Sequence, residues 1–415
     1  MIEIEARLDE LRRLGLDRRM RLVSGPQGPR VLLDGKPVLL LCSSNSLGLA
    51  NHPRVREAAA EAAMRWGAGA GASRQASGTM RIHRRLEERL AAFERREAAL
   101  LFGSGFLANA GVIAALARPG DVIFSDALNH ASIIDGGRVS GAEVFVYDHC
   151  DMEHLEWGIA RAEDRGALIV TESLFSLDGD LAPLEEIVEI AQHYGLRTLV
   201  DEGHATGAVG PGGRGALAEA GLEDEVDVTV GTLGAALGSY GGFVACDELM
   251  SVYLMNAVRT FGCSTALPPP IVAGALVALE ILEERPRLVQ RLAVNASAVR
   301  AELGREGFDV ERSCLPVVPL IVGDAELSVR ICEAALVEGV FVQTIRPPTV
   351  PAAQARLRLA VMASHHEEEL RAAARTLAAA AREAGLDPGP AHPGELTVAA
   401  RPAAPSVFDY EARAA

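Results

Sequence analysis

Between residues 100 and 250, short β-rich runs alternate with helical patterns. That alternation predicts an α/β fold with a mainly parallel sheet covered on both faces. The runs "DVIFSD", "ALIVTES", "RTLVDE" and "VDVTVG" are almost continuously apolar, as strands buried on both faces must be. Helical stretches such as "LEEIVEIAQHYG" separate them, with Gly195 placed to end that helix. The 415 residues, 49% hydrophobic and with 41 glycines, supply material for a large sheet and many tight turns.

Taken in order, "MIEIEARLDELRRLGLDRRM" reads as an amphipathic helix without a signal-peptide core. In "VLLDGKPVLLL", Asp-Gly between apolar runs predicts a hairpin turn. Helix and hairpin form an arm over 1–50, before a large domain over 51–285. Residues 53–99 are expected to be helical, broken by "GAGAGASRQASG". After the alternating region, "EVFVYDH" and "GGFVACD" included, a long helix over 270–302 links to a smaller α+β domain over 286–385. That domain holds "VVPLIVG", "GVFVQTIRPPTVP", "ARLRLAVMA" and the helix "EEELRAAARTLAAAAREAG". Residues 386–415 are Pro- and Ala-rich and read as a loosely ordered tail.

The net charge of -16 argues against nucleic-acid or anionic-membrane partners, which want a basic face. No apolar run approaches a membrane span. Six scattered cysteines (Cys42, Cys150, Cys246, Cys263, Cys314, Cys332) with no CxxC spacing suit reduced thiols and a cytoplasmic setting. Lys36 is the only lysine, and its hairpin position predicts exposure.

In parallel sheets ligands collect at the carboxyl ends of strands, and the chemistry-bearing residues fall there. "LLFGSGFLANAG" sets Ser104, Gly105 and Phe106 before a helix, where backbone N–H groups can approach a phosphate. "FSDALNHASIIDG" offers His130 just past a strand. In "TLVDEGHATGAVG", Asp201 ends a strand and His204 follows. A carboxylate at the base of a cleft can hold a pyridine nitrogen protonated, and an imidazole can address a phenolic oxygen on the same ring. "GTLGAALGSYGG" supplies the Thr232 hydroxyl, and Arg358 in "ARLRLAV" can fork onto a carboxylate. Each alone is equally a turn, a helix cap or a surface arginine.

In one order, "SGTMRIHRRLEERLAAF", "GSGFLANAGVI", "SDALNHASIIDG", "TESLFSLDGDLAPL", "VDEGHATG", "GTLGAALGSYGGFV" and "IRPPTVPAAQARLR" resemble the α-oxoamine synthase family. Its 8-amino-7-oxononanoate synthase and glycine C-acetyltransferase branches look nearest. The resemblance implies the fold-type-I architecture of pyridoxal 5'-phosphate (PLP) enzymes, in the aminotransferase class I/II fold. A large domain with a mainly parallel seven-stranded sheet is expected, with a smaller C-terminal α+β domain. It implies that His130 stacks on the cofactor ring, Asp201 pairs with the ring nitrogen, and His204 and Ser176 address the phenolic oxygen. Ser104, Gly105, Phe106 and Thr232 would surround the phosphate, with Thr265 reaching it from the partner subunit of a homodimer. Ser44 and Arg358 would meet the amino-acid carboxylate.

The family places its Schiff-base lysine three residues after the threonine, where this chain has Ala235. The reaction implied is a decarboxylative Claisen condensation of an amino acid (glycine, alanine or serine) with an acyl-CoA or acyl-carrier-protein thioester. Lysine is nucleophile, leaving group and base in turn, and a methyl group is none of these. The chain is therefore expected to hold PLP or an external aldimine without turnover. A laboratory Lys→Ala change or a natural pseudoenzyme that serves as a binding subunit would each explain Ala235. Ser44 and Ser46 in "SNSLGL" and Gly203 in "DEGHATG" also depart from the family pattern.

"HCDMEH" fits no clean zinc spacing and reads as an ordinary strand-to-helix connection, so no metal site is expected. His365 and His366 at a helix start are expected to be solvated. "GPGGRG" lacks a following lysine and is not a nucleotide loop.

Overall fold

The computed structural model describes residues 3–310, 315–386 and 388. It divides into two compact units, residues 44–292 and residues 1–43 together with 293–415. The tail expected over 386–415 lies outside the described residues apart from 386 and 388, as does Cys314.

The chain opens with α1 (Ile4–Arg13) and the strands β1 (Val23–Ser24), β2 (Arg30–Leu33) and β3 (Lys36–Leu40). Then come α2 (Pro53–Trp66), α3 (Arg81–Phe93), β4 (Ala98–Phe102), α4 (Gly105–Leu116), β5 (Val122–Asp126), α5 (Ala131–Ser140) and β6 (Glu143–Tyr147). Next are α6 (Met152–Ala162), β7 (Gly166–Glu172), α7 (Leu184–Tyr194), β8 (Arg197–Asp201), α8 (Ala216–Ala220) and β9 (Val228–Thr232). β10 (Gly242–Cys246), α9 (Glu248–Ala257), α10 (Arg259–Gly262), α11 (Pro269–Glu284) and α12 (Arg287–Arg305) follow. The chain continues with β11 (Val317–Gly323), α13 (Ala325–Val337), β12 (Val340–Phe341), β13 (Gln343–Ile345), β14 (Ala355–Ala360) and α14 (Glu367–Glu383).

In the unit of residues 44–292, seven strands lie in the order β4-β10-β9-β8-β7-β5-β6. Only β10 runs against its neighbours, so the expected mainly parallel sheet is present. All the parallel strands therefore end at one edge. The chain direction switches at β5, which connects outward to β6 and then back to β7, the point where such sheets open a crevice. Val112 and Ile113 of α4 pack with Phe102, Ile123, Leu168, Leu199, Val230 and Val244 from the sheet in one apolar cluster. Strand β6 departs from the all-buried expectation. It is the edge strand, and Val144 and Val146 are exposed.

Two helical expectations are corrected. The helix expected over 270–302 is two helices, because Pro286 lacks the N–H that would continue α11 beyond Arg285. The helical stretch 53–99 resolves into α2, a loop and α3, and its end is already strand β4. Across that loop Arg74 and Glu87 form a buried two-pronged ion pair at 2.7 and 3.0 Å. Glu87 also accepts the Leu101 N–H of β4 at 3.1 Å.

In the other unit, β1-β2-β3-β12 and β11-β14-β13 form two sheets. Residues 1–43 belong with the C-terminal residues because β3 pairs in parallel with β12. The Asp-Gly hairpin is as expected: Asp34 and Gly35 both take positive φ and join Leu33 to Lys36. His365 is not solvated. It is fully buried, accepts the Met362 N–H at 2.8 Å, and its other ring nitrogen faces the Leu40 carbonyl at 3.1 Å. Burial lowers its pKa to about 4, so it serves as a neutral strut. His366 is exposed.

The described cysteines are all free thiols, and among the described residues no helix is long and apolar enough to cross a membrane. Removing one partner of the Arg74–Glu87 pair leaves a buried charge uncompensated. Glu87→Ala is expected to cost about 3–5 kcal/mol in thermal or urea unfolding. An Arg74→Met/Glu87→Leu double variant should recover most of that loss.

Candidate functional site

The carboxyl edge of the large sheet collects the ends of β4, β5, β7, β8 and β9, and with them most residues singled out in the sequence. Asp201 closes β8. Its Oδ2 accepts from Asn109 Nδ2 of α4 at 2.5 Å, and its Oδ1 accepts the Gly203 N–H at 2.7 Å. A Cβ on Gly203 would stand 2.8 Å from Asp201 Oδ1, so this carboxylate pose depends on glycine there. Both donors are neutral and leave the carboxylate charge uncancelled. Burial pushes the Asp201 pKa up, against the pull of Asn109, the Gly203 N–H and the nearby His130.

His130 caps α5, with its ring exposed at the edge. Its Nδ1 accepts the Ser132 N–H at 3.2 Å and lies 2.7 Å from the Ser132 hydroxyl, which in turn accepts from Asn109 at 3.0 Å. Asn109 thus orients both the His130 ring and the Asp201 carboxylate. The Phe106 ring stands edge-on to His130 at 6.3 Å.

Ser104 caps α4, accepting the Leu107 N–H at 3.1 Å. A Cβ on Gly105 would meet Thr232 Cβ at 3.7 Å, which sets the N-terminus of α4 beside the end of β9. A Cβ on Gly242 would come within 2.4 Å of the Gly105 N, so the start of β10 needs glycine to pass. The Thr232 hydroxyl donates to the Gly241 carbonyl and accepts the Gly234 N–H, both at 3.1 Å. It ties down the 233–241 loop, which also closes on itself through Leu233 N–H to Gly241 O, Gly238 N–H to Ala235 O and Ser239 N–H to Leu233 O. Ala235 is buried within that loop.

Ser176 is buried in the turn after β7, its N–H 3.3 Å from Glu172 Oε2, and His204 is half-buried on the turn after β8. Ser44 and Thr265 are exposed, Thr265 bridging Ser73 through its backbone. Arg358 belongs to the other unit, buried on β14 between Pro319 and Gln343.

Three residues of the site escaped the sequence reading. Asn109 had a signal: it is the one amide in the otherwise apolar "GFLANAGVIAAL", and an amide there needs a buried partner. Glu172 and Glu202 end or follow apolar strands as acids with no basic neighbour in sequence. Burial, reinforced by Asp201, pushes Glu172 well above the usual carboxyl range. Burial likewise pushes Glu202 to about 7, although its Oε1 accepts the Ala216 and Leu217 N–H groups at 3.0 and 3.1 Å. Near neutral pH, Asp201 is therefore flanked by acids that resist ionising.

The family "Aminotransferase class I and II" matches residues 36–377. The chain belongs to that family. It is 47% identical over 388 residues to the 8-amino-7-oxononanoate synthase of Geobacter sulfurreducens, covering 92% of this chain and 99% of the relative. It is 46% identical over 385 residues to the enzyme of the same name from Citrifermentans bemidjiense, covering 91% and 98%. Among solved structures it is similar to a lysine-to-alanine form of serine palmitoyltransferase from S. paucimobilis with bound PLP–myriocin aldimine. That match has a TM-score of 0.88 and 32% identity over 92% of this chain and 98% of the other. The 8-amino-7-oxononanoate synthase of Francisella tularensis superposes with a TM-score of 0.72 at 26% identity, covering 83% and 98%. The α-oxoamine synthase resemblance and the fold-type-I architecture are thereby borne out.

Glu202 gives the fold a pH dependence. Its folded pKa lies above the unfolded value of 4.5, so its stabilising contribution is complete below 4.5 and lost as pH rises through about 7. Glu202→Gln keeps an oxygen for the α8 amides without that ionisation. Its stability relative to the unsubstituted chain should grow by roughly 3 kcal/mol between pH 4.5 and 8, read from urea unfolding.

Proposed function

We propose that the chain is an α-oxoamine synthase-type acyltransferase that uses PLP to condense an amino acid with an acyl thioester. We propose further that Ala235 leaves it able to hold cofactor and amino acid but not to turn them over. The observation that carries the reading is Asp201: a desolvated carboxylate, aimed by two neutral donors, at the edge where α4 presents its N-terminus. Such a carboxylate favours a cationic N–H, and a helix N-terminus favours phosphate, so the residues present fit a phosphorylated pyridine.

When bound, the cofactor supplies an electron sink for charge developing at the amino-acid α-carbon. Asp201 keeps the ring nitrogen protonated, and His130 covers one ring face. His204 and Ser176 address the phenolic oxygen. The backbone of Gly105 and Phe106, the Ser104 cap and the Thr232 hydroxyl hold the phosphate, with Thr265 contributed by the partner of a homodimer. Ser44 offers a hydroxyl to the substrate carboxylate. The Ala235 methyl group can neither bind a carbonyl covalently nor carry a proton. The similar serine palmitoyltransferase structure, solved as a lysine-to-alanine form with its PLP adduct bound, supports retention of ligand by a pocket of this fold.

Lys36, the sole lysine, makes the covalent question clean. With PLP present, borohydride reduction should leave the peptide spanning 226–247 unmodified, while absorbance still reports bound cofactor and shifts with the amino acid accepted. Asp201→Asn should weaken PLP binding roughly 10- to 100-fold, the worth of about 1.5–3 kcal/mol for a charged hydrogen bond. Ala235→Lys should turn the protein yellow and raise coenzyme A release from acyl thioesters by roughly two to four orders of magnitude. Cofactor binding by Ala235→Lys without turnover on any acyl donor would overturn the transferase reading in favour of a binding subunit.

A further inference from the structure

The turn over 173–182 carries Ser176 and folds as a small hairpin. Leu174 bridges Leu181, Phe175 N–H donates to Asp180 O at 3.0 Å, and Ala182 N–H donates to Ser173 O at 3.0 Å. What holds this hairpin to the sheet is a histidine from another connection. His149, between β6 and α6, sets Nδ1 at 2.9 Å from Asp126 Oδ1 and Nε2 at 2.7 Å from Asp180 Oδ2. Its ring also stands edge-on to Phe175 at 4.4 Å.

A neutral imidazole has one N–H, and here two carboxylates wait on opposite sides of the ring. Asp126 also accepts the Leu128 and Cys150 N–H groups at 2.8 and 2.9 Å, and the Asp180 side chain reaches solvent, so each carboxylate meets the ring as an acceptor. Both ring nitrogens must therefore donate. We propose that His149 is a constitutive imidazolium clamp that fixes the 173–182 turn, and Ser176 with it, to the carboxyl edge of the sheet.

His149 is thus a positioning residue, remote from the reacting atoms. The groups facing it are Asp126 from β5, Asp180 from the turn, the adjacent Cys150 thiol and the buried Tyr147 phenol beside Asp126. Burial opposes charge on the ring, but the two aspartates outweigh it and carry its pKa to about 12. Asp126, His149 and Cys150 also bring ligand atoms within 4.8 Å of one another, the geometry of a metal site. The two N–H donations leave the ring no lone pair for a cation.

The clamp is independent of the cofactor reading; only the use made of Ser176 rests on it. The test uses the ligand-free chain labelled with 15N-histidine, with His149→Gln to assign the signal. Both ring N–H protons should persist at pH 9, where an ordinary histidine of pKa 6.5 is neutral. In Asp180→Asn the ring should titrate at least two pH units lower. Amide exchange over 173–182 should then quicken tenfold or more, with β8 and α4 unchanged. A His149 signal titrating between pH 6 and 8, displacement of its ring protons by added zinc, or unchanged exchange in Asp180→Asn would overturn the clamp. Should every form of the chain fail to bind PLP while the clamp signals hold, the proposed function falls and the clamp stands.

Discussion

The structure depends on a carboxylate set where water is scarce. Asp201 ends a strand whose three central residues are buried, and its pKa is raised by burial. A charge in that position costs stability unless something cationic answers it, and protein groups answer it only in part. Glu172 and Glu202 flank it and are pushed toward their neutral forms. Burial thus opposes ionisation at three acids in one region, and a cationic group in the crevice would relieve that cost.

Asn109 is the hinge of that arrangement. Through one amide it reaches Asp201 directly and His130 by way of Ser132, so the ring face and the carboxylate are aligned by the same helix that presents its N-terminus. This is the logic of an indirectly supported site: the groups that meet a ligand are held by groups that do not. The histidine clamp on the 173–182 turn extends the same principle one layer further out.

The alternating region was legible because buried parallel strands leave a compositional mark, and the strand ends could be read because the ligand edge follows from topology. The break at Pro286 was visible in the letters, yet the periodicity of the flanking helices outweighed it. The partners of His149 lie 23 and 31 residues away, and those of Asp201 include Asn109 at 92 residues. Sequence spacing cannot register such pairs; they exist only once the sheet order is set. His365 was misjudged for a related reason. Its ring nitrogen meets the Leu40 carbonyl, 325 residues earlier, and a histidine beside a helix start has no local feature to announce that.

The loop around Ala235 is fastened by its own backbone and by the Thr232 hydroxyl, between a strand and its antiparallel return. No bond in that fastening involves the side chain at 235. The course of the loop is consequently set by its main chain and by one hydroxyl, so the residue at 235 can be exchanged for a longer one without untying any of those bonds.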